Sequence, residues 1–274
     1  MRKLIIIPDK LSKESDNING PTVIKVPKWI KNPLAKYYMY FAHHKGTHIK
    51  LAFANNIFGP WTVFQKGVLS LNEIQGRDHL ASPDIYFSNE RIFMIYHSVY
   101  KKSVQLSSIA VSNDGLNFTP KTERFASFYF RRFVFKSEIY GFAKSENSYG
   151  CIYKLVNNKF QIVNNKFIYN LRHGSIIIEN NKVYCYFTRI GDSPEKVLVC
   201  NINMDTFNPS IFSTVIEPKY NWEGVNNKLE PSKFGMARSK FHQLRDPFVF
   251  KENNLKYLFY SVQGEAGIAV AEIK

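Results

Sequence analysis

Apolar residues in this chain come in short runs, and none of the runs continues with the 3.6-residue spacing of a long amphipathic helix. Segments 37–41 (Tyr-Tyr-Met-Tyr-Phe), 92–96 (Ile-Phe-Met-Ile-Tyr), 183–187 (Val-Tyr-Cys-Tyr-Phe) and 257–260 (Tyr-Leu-Phe-Tyr) use the aromatic and β-branched residues that suit a pleated surface. Between such runs stand Asn-Asn, Asn-Lys, Asp-Gly and Gly-Pro pairs, whose backbone preferences favour tight turns. The pattern predicts many short strands and no long helix.

These strands recur in a fixed order. Pro83 precedes Tyr96 by 13 residues, Pro247 precedes Tyr260 by 13, and Gly174 precedes Phe187 by 13. A third strand follows in each case, at 108–112, 267–271 and 197–200. Another copy starts at Gly20-Pro21, continues through 37–41 and 49–54, and reaches its fourth strand near Gly59-Pro60-Trp61. The weakest copy has segments 130–135, 139–143, 150–155 and 160–163. Five units result, at about 17–66, 79–121, 125–165, 170–216 and 241–274. A four-stranded unit cannot bury both of its faces alone, so the units must stack around an axis. The expected fold is therefore all-β, a single five-bladed β-propeller over 1–274. The last unit ends after three strands, and residues 3–8 are expected to supply its outer strand.

The first strand of a propeller blade lines the central channel, so the unit openings should face a common funnel. These openings are polar: Asn19-Gly20-Pro21, residues 79–84, residues 129–132, Arg172-His173 and residues 242–246. Asp84 and Asp246 beside proline also suit turn capping, but the convergence of His, Arg, Asp and Asn on five openings favours a site. The 23 Phe, 16 Tyr and 3 Trp suit stacking against sugar rings or bases without choosing between them.

The excess of 37 Lys and Arg over 22 Asp and Glu gives a net charge of +15, enough to attract anionic partners. The basic residues are spread along the chain with no arm or tail, so a solvated basic surface is the expected reading and nucleic acid is not the expected partner. Cys151, Cys185 and Cys200 lack paired spacing and read as buried free thiols. The apolar run 4–7 is too short for a signal-peptide core or a membrane span, which places the chain in the cytoplasm with no membrane partner.

The openings Ser82-Pro83-Asp84 and Arg245-Asp246-Pro247 resemble those of the glycoside hydrolase family 43 and family 32 clan of five-bladed propellers. Gly59-Pro60-Trp61 and residues 112–118 (Ser-Asn-Asp-Gly-Leu-Asn-Phe) add to the likeness, which covers nearly the whole chain. The resemblance implies a glycosidase that works with carboxylates on either side of an anomeric carbon. It also implies a carboxylate on the inner strand of the first blade, where this sequence has Asn19.

Asp84, Asp246 and Glu223 are the candidate catalytic carboxylates, Glu223 because a loop of about 25 residues could carry it over the funnel. An ordinary surface glutamate beside a packed Trp222 is the plainer reading of Glu223, while Asp192 and Glu195 look like turn residues. Asn19, His44, His79, His97, Arg131, Arg172, His173, Arg245 and Glu265 are the candidate substrate-binding residues. Arg172 and Arg245 suit either a clamp on a uronate or sulfate, or ion pairs with Asp84 and Asp246. The histidines lack the spacing of a zinc motif, so neither a metal nor another cofactor is expected. The expected partner is an oligosaccharide or glycoconjugate, neutral or anionic, either cleaved or only bound; a basic scaffold for protein or nucleic acid is the remaining class.

Overall fold

The structure, a computed structural model, describes residues 1–8, 17–145 and 148–274. Five four-stranded antiparallel sheets form a five-bladed β-propeller, with no α-helix among the described residues. Strand β1 (Arg2–Ile6) belongs to the last blade. Blade one comprises β2 (Asn19–Lys25), β3 (Tyr37–Ala42), β4 (His48–Ala54) and β5 (Thr62–Ser70). Blade two comprises β6 (Arg77–Ser88), β7 (Arg91–Val99), β8 (Gln105–Ser112) and β9 (Thr119–Ser127). Blade three comprises β10 (Arg131–Phe135), β11 (Glu138–Ser145), β12 (Tyr149–Val156) and β13 (Lys159–Asn164). Blade four comprises β14 (Leu171–Glu179), β15 (Lys182–Arg189), β16 (Val197–Ile202) and β17 (Ser213–Ile216). Blade five comprises β18 (Leu244–Glu252), β19 (Leu255–Val262), β20 (Ile268–Ile273) and β1, which pairs antiparallel with β20.

The apolar runs are continuous because both faces of each middle strand are covered. On β3, Tyr38 and Tyr40 pack toward Met94 and Tyr96 of blade two, while Met39 and Phe41 pack toward Phe259 and Val270 of blade five. That is the period-two alternation of a strand, with an apolar neighbour on either side. Separate clusters fill the remaining interfaces: Ile95 with Phe130 and Cys151, Phe142 with Cys185 and Phe187, and Tyr186 with Leu258 and Tyr260. All three cysteines are buried and free.

Glu223 closes the ring rather than the funnel. Its carboxylate is fully buried, accepts from Arg2 Nη1 at 3.0 Å and Tyr260 Oη at 2.6 Å, and takes the backbone N–H of Lys219 at 2.7 Å. It thus ties the N-terminal strand to the long loop before β18. This corrects the expectation that the loop carries Glu223 over the central cavity.

Candidate active site

Three inner strands share one irregularity. The pairing skips two residues between Asn19 and Thr22, between Ala81 and Asp84, and between Arg245 and Phe248, so Gly20-Pro21, Ser82-Pro83 and Asp246-Pro247 occupy equivalent bulges. The residue before each proline has a positive φ: 59° at Gly20, 52° at Ser82 and 50° at Asp246. Such bulges re-aim a side chain and end regular pairing near sites. Asp246 is therefore the counterpart of Ser82, and Asp84 is the counterpart of Thr22 and Phe248, one layer deeper along the axis.

The upper layer opens into a cavity of 370 Å³ lined by residues of all five blades, among them Asn19, His79, Tyr129, Arg172 and Asp246. This volume lies at the small end of ligand sites. The loop between β17 and β18 does reach the cavity, but with Phe234 and Gly235. Arg172 Nη2 donates to Lys233 O at 2.7 Å and Arg245 Nη1 to Gly235 O at 3.2 Å, which holds the loop there.

The lower layer is a plug. Arg131 is 2% exposed and reaches every other blade. Its Nη1 donates to Thr22 Oγ1 at 2.7 Å, to Pro83 O at 2.6 Å and to Asp84 Oδ1 at 3.3 Å. Nε donates to Gly174 O at 3.1 Å, Nη2 lies 3.3 Å from His173 Nε2, and the guanidinium carbon sits 5.8 Å from the Phe248 ring centroid. Asp84 also accepts from the Arg132 N–H at 2.9 Å. Asp84, Arg131 and His173 are not in the cavity wall, so the structure gives them a packing role under its floor.

Carboxylates of opposite character meet at the cavity. Asp246 is buried, and its pKa is pushed up to about 6, first by burial and then by the negative charge of Glu265, against the pull of Arg172 and Arg245. Glu265 is pushed up by burial too, but His44, Arg245 and Arg172 outweigh that and hold its carboxyl below the usual range. Arg245 Nη1 donates to Glu265 Oε1 at 3.1 Å, while Asn19 Nδ2 and His44 Nδ1 approach Oε2 at 3.4 Å and 3.6 Å. Glu195 is not a turn residue: it is fully buried, accepts from Arg172 Nε at 2.6 Å, and lies 3.5 Å from Arg245 Nε. Arg172 and Arg245 are thus paired chiefly with Glu195 and Glu265.

Of the histidines, His44, His79 and His97 line the cavity. His79 is set between Asp78 Oδ2 at 2.8 Å and Gln105 Oε1 at 3.2 Å. Burial, reinforced by neighbouring positive charge, keeps His97 and His173 well below the ordinary imidazole pKa and hence neutral. Among the described residues no group of three or more His, Cys, Asp or Glu is arranged to hold a metal ion.

Lys144 and Glu195 escaped the sequence reading as functional residues. Lys144 lies at the end of the second strand of its unit, where His97 lies in blade two, and that position rule was its only signal. Nothing local marks Glu195, whose partners come from β14 and β18.

The fold around this cavity is the five-bladed propeller that is also found in family-43 glycoside hydrolases. A β-xylosidase/α-arabinofuranosidase from a compost microbial metagenome, in complex with xylotriose, superposes with a TM-score of 0.66 at 12% identity, covering 99% of this chain and 95% of that one. A family-43 enzyme from Xanthomonas citri gives 0.67 at 10% identity over 93% and 88%. The α-L-arabinanase of Cellvibrio cellulosa complexed with arabinohexaose gives 0.61 at 10% over 94% and 92%. No family model matches the sequence. By sequence the chain belongs to the same family as an uncharacterized protein of Acanthamoeba polyphaga mimivirus, 33% identical in an alignment that covers 94% of this chain and 83% of the other.

Proposed function

We propose that the chain is a glycosidase that binds an oligosaccharide or glycoconjugate in the central cavity, with Asp246 as proton donor and Glu265 as its ionised counterpart. The carrying observation is that these two carboxyls interact in one cavity while their surroundings push their pKa values in opposite directions. A glycosidase needs that division, one carboxylic acid to protonate the leaving oxygen and one carboxylate for the opposite face. Glu265 Oε2 lies beside Asn19, where the resemblance implies a carboxylate of the first blade. Oligosaccharide complexes of similar propellers, with xylotriose and with arabinohexaose, support a glycan as the ligand.

The test is a chromogenic-glycoside and glycan screen of the wild type, Asp246→Asn and Glu265→Gln. Turnover lost in both variants while glycan binding persists is the expected result. Equal turnover in all three proteins would remove the assignment. Asn19 and the several partners of Glu265 favour one other reading, a propeller that binds sugar without cleaving it; binding by the wild type with no turnover of any glycoside would establish that instead.

A further inference from the structure

Arg172 and Arg245 are the obvious residues to hold an anion, but both are committed to Glu195, Glu265 and carbonyls of the loop. Lys144 is not. It is 3% exposed and lines the cavity, and its Nζ has no hydrogen bond or ion pair to any described residue. The ammonium lies 5.2 Å from the centroid of Phe234 and 6.0 Å from that of Phe128. Arg172 on β14, Asp246 on β18 and Glu195 before β16 are the charged groups that act on it, and its pKa is lowered to about 7, chiefly by burial.

Asp246 and Glu195 act on Lys144 from a distance, and neither forms a direct ion pair with it. Arg172 is paired with Glu195 and Arg245 with Glu195 and Glu265, while Lys144 forms an ion pair with none of Glu195, Glu265 and Asp246. A buried amine with no direct ion pair is an incomplete interaction, and an incoming anion completes it. A second buried polar atom in a residue of the same cavity wall, Nδ1 of the 1% exposed His97, is also without a hydrogen-bond partner.

We propose that the cavity selects a glycan whose bound unit carries an anionic oxygen substituent, a carboxylate or a sulfate, seated on Lys144 with its apolar face against Phe128 and Phe234. Anion binding restores the full charge of the ammonium and completes its pairing. The inference rests on the reading of the cavity as a glycan site, and it holds whether the glycan is cleaved or only bound.

Calorimetric titration of a galacturonic acid trisaccharide, a sulfated galactose trisaccharide and xylotriose into the wild type and Lys144→Met tests it. Lys144→Met removes an unpaired buried charge for a side chain of similar length, so it is expected to fold with a melting temperature at or above that of the wild type. One acidic trisaccharide should bind the wild type at least about tenfold more tightly than xylotriose and lose about 10- to 100-fold in Lys144→Met, the scale of one charged hydrogen bond. Xylotriose binding should stay within about twofold, since it makes no charged contact there. The acidic arm that responds identifies the substituent as carboxylate or sulfate. Acidic binding unchanged by Lys144→Met overturns the proposal. Xylotriose binding while neither acid binds overturns it and leaves the glycan reading standing; no binding by any of the three overturns both.

Discussion

Replacing Arg131 by Met should strongly destabilise the fold. Arg131 is buried, makes its five polar contacts with Thr22, Pro83, Asp84, Gly174 and His173, and so links the first, second and fourth blades to its own. Without it Asp84 keeps only the Arg132 N–H, and a buried carboxylate loses its cation. Removing one partner of a buried pair costs about 3–5 kcal/mol. At roughly 2–4 °C per kcal/mol for a domain of this size, the melting temperature should fall by about 6–20 °C.

The loss should also depend on pH. Burial already raises the Asp84 pKa despite Arg131, and removing the guanidinium raises it further. A carboxyl with a raised folded-state pKa destabilises the fold when ionised: the penalty is absent below the unfolded value, about 3.9, and grows as pH rises toward the folded value. The deficit of Arg131→Met should therefore be smaller at pH 4.5 than at pH 7.5, and adding Asp84→Asn should recover part of it at pH 7.5. Urea unfolding followed by tryptophan fluorescence at both pH values measures this. A deficit below about 1 kcal/mol, or one of the same size at both pH values, would refute the assignment of Arg131 and Asp84 as a buried structural pair.

Three further outcomes are expected. Because Asp246 must carry a proton and its pKa is raised to about 6, kcat/KM for any substrate found should fall as pH rises through about 6, and the proton-donor role fails if that limb survives a substitution of Asp246. Glu223→Gln weakens the tie among Arg2, Tyr260 and the loop, so hydrogen exchange should accelerate in β1 and β20 while the channel strands stay protected; uniform protection would contradict the clasp. Gly141→Ala would place a methyl 1.9 Å from Phe130 Cζ, so it should lower stability by about 1–3 kcal/mol in thermal unfolding.

The 13-residue spacing from Pro83 to Tyr96 and from Pro247 to Tyr260 contained enough to phase the blades, but not to say which neighbours of the proline face the cavity. Asp84 follows its proline and Asp246 precedes its own, so equivalent bulges send one into the floor and the other into the cavity. The loop before β18 was legible as a cover for the funnel; that Phe234 rather than Glu223 does the covering depends on Arg2, 221 residues away along the chain from Glu223.

By itself the sequence determined the strands, their fivefold repetition and the polar character of the inner openings, because alternation, turn chemistry and strand propensity act over a few residues. Only the tertiary structure decided the charge pairing: Arg172 with Glu195, Arg245 with Glu265, Arg131 with Asp84, and Lys144 with none of them. Arg172–Glu195 and Arg245–Glu265 form within one blade and Arg131–Asp84 between two, and in each case burial and distance select the partner while spacing along the chain does not.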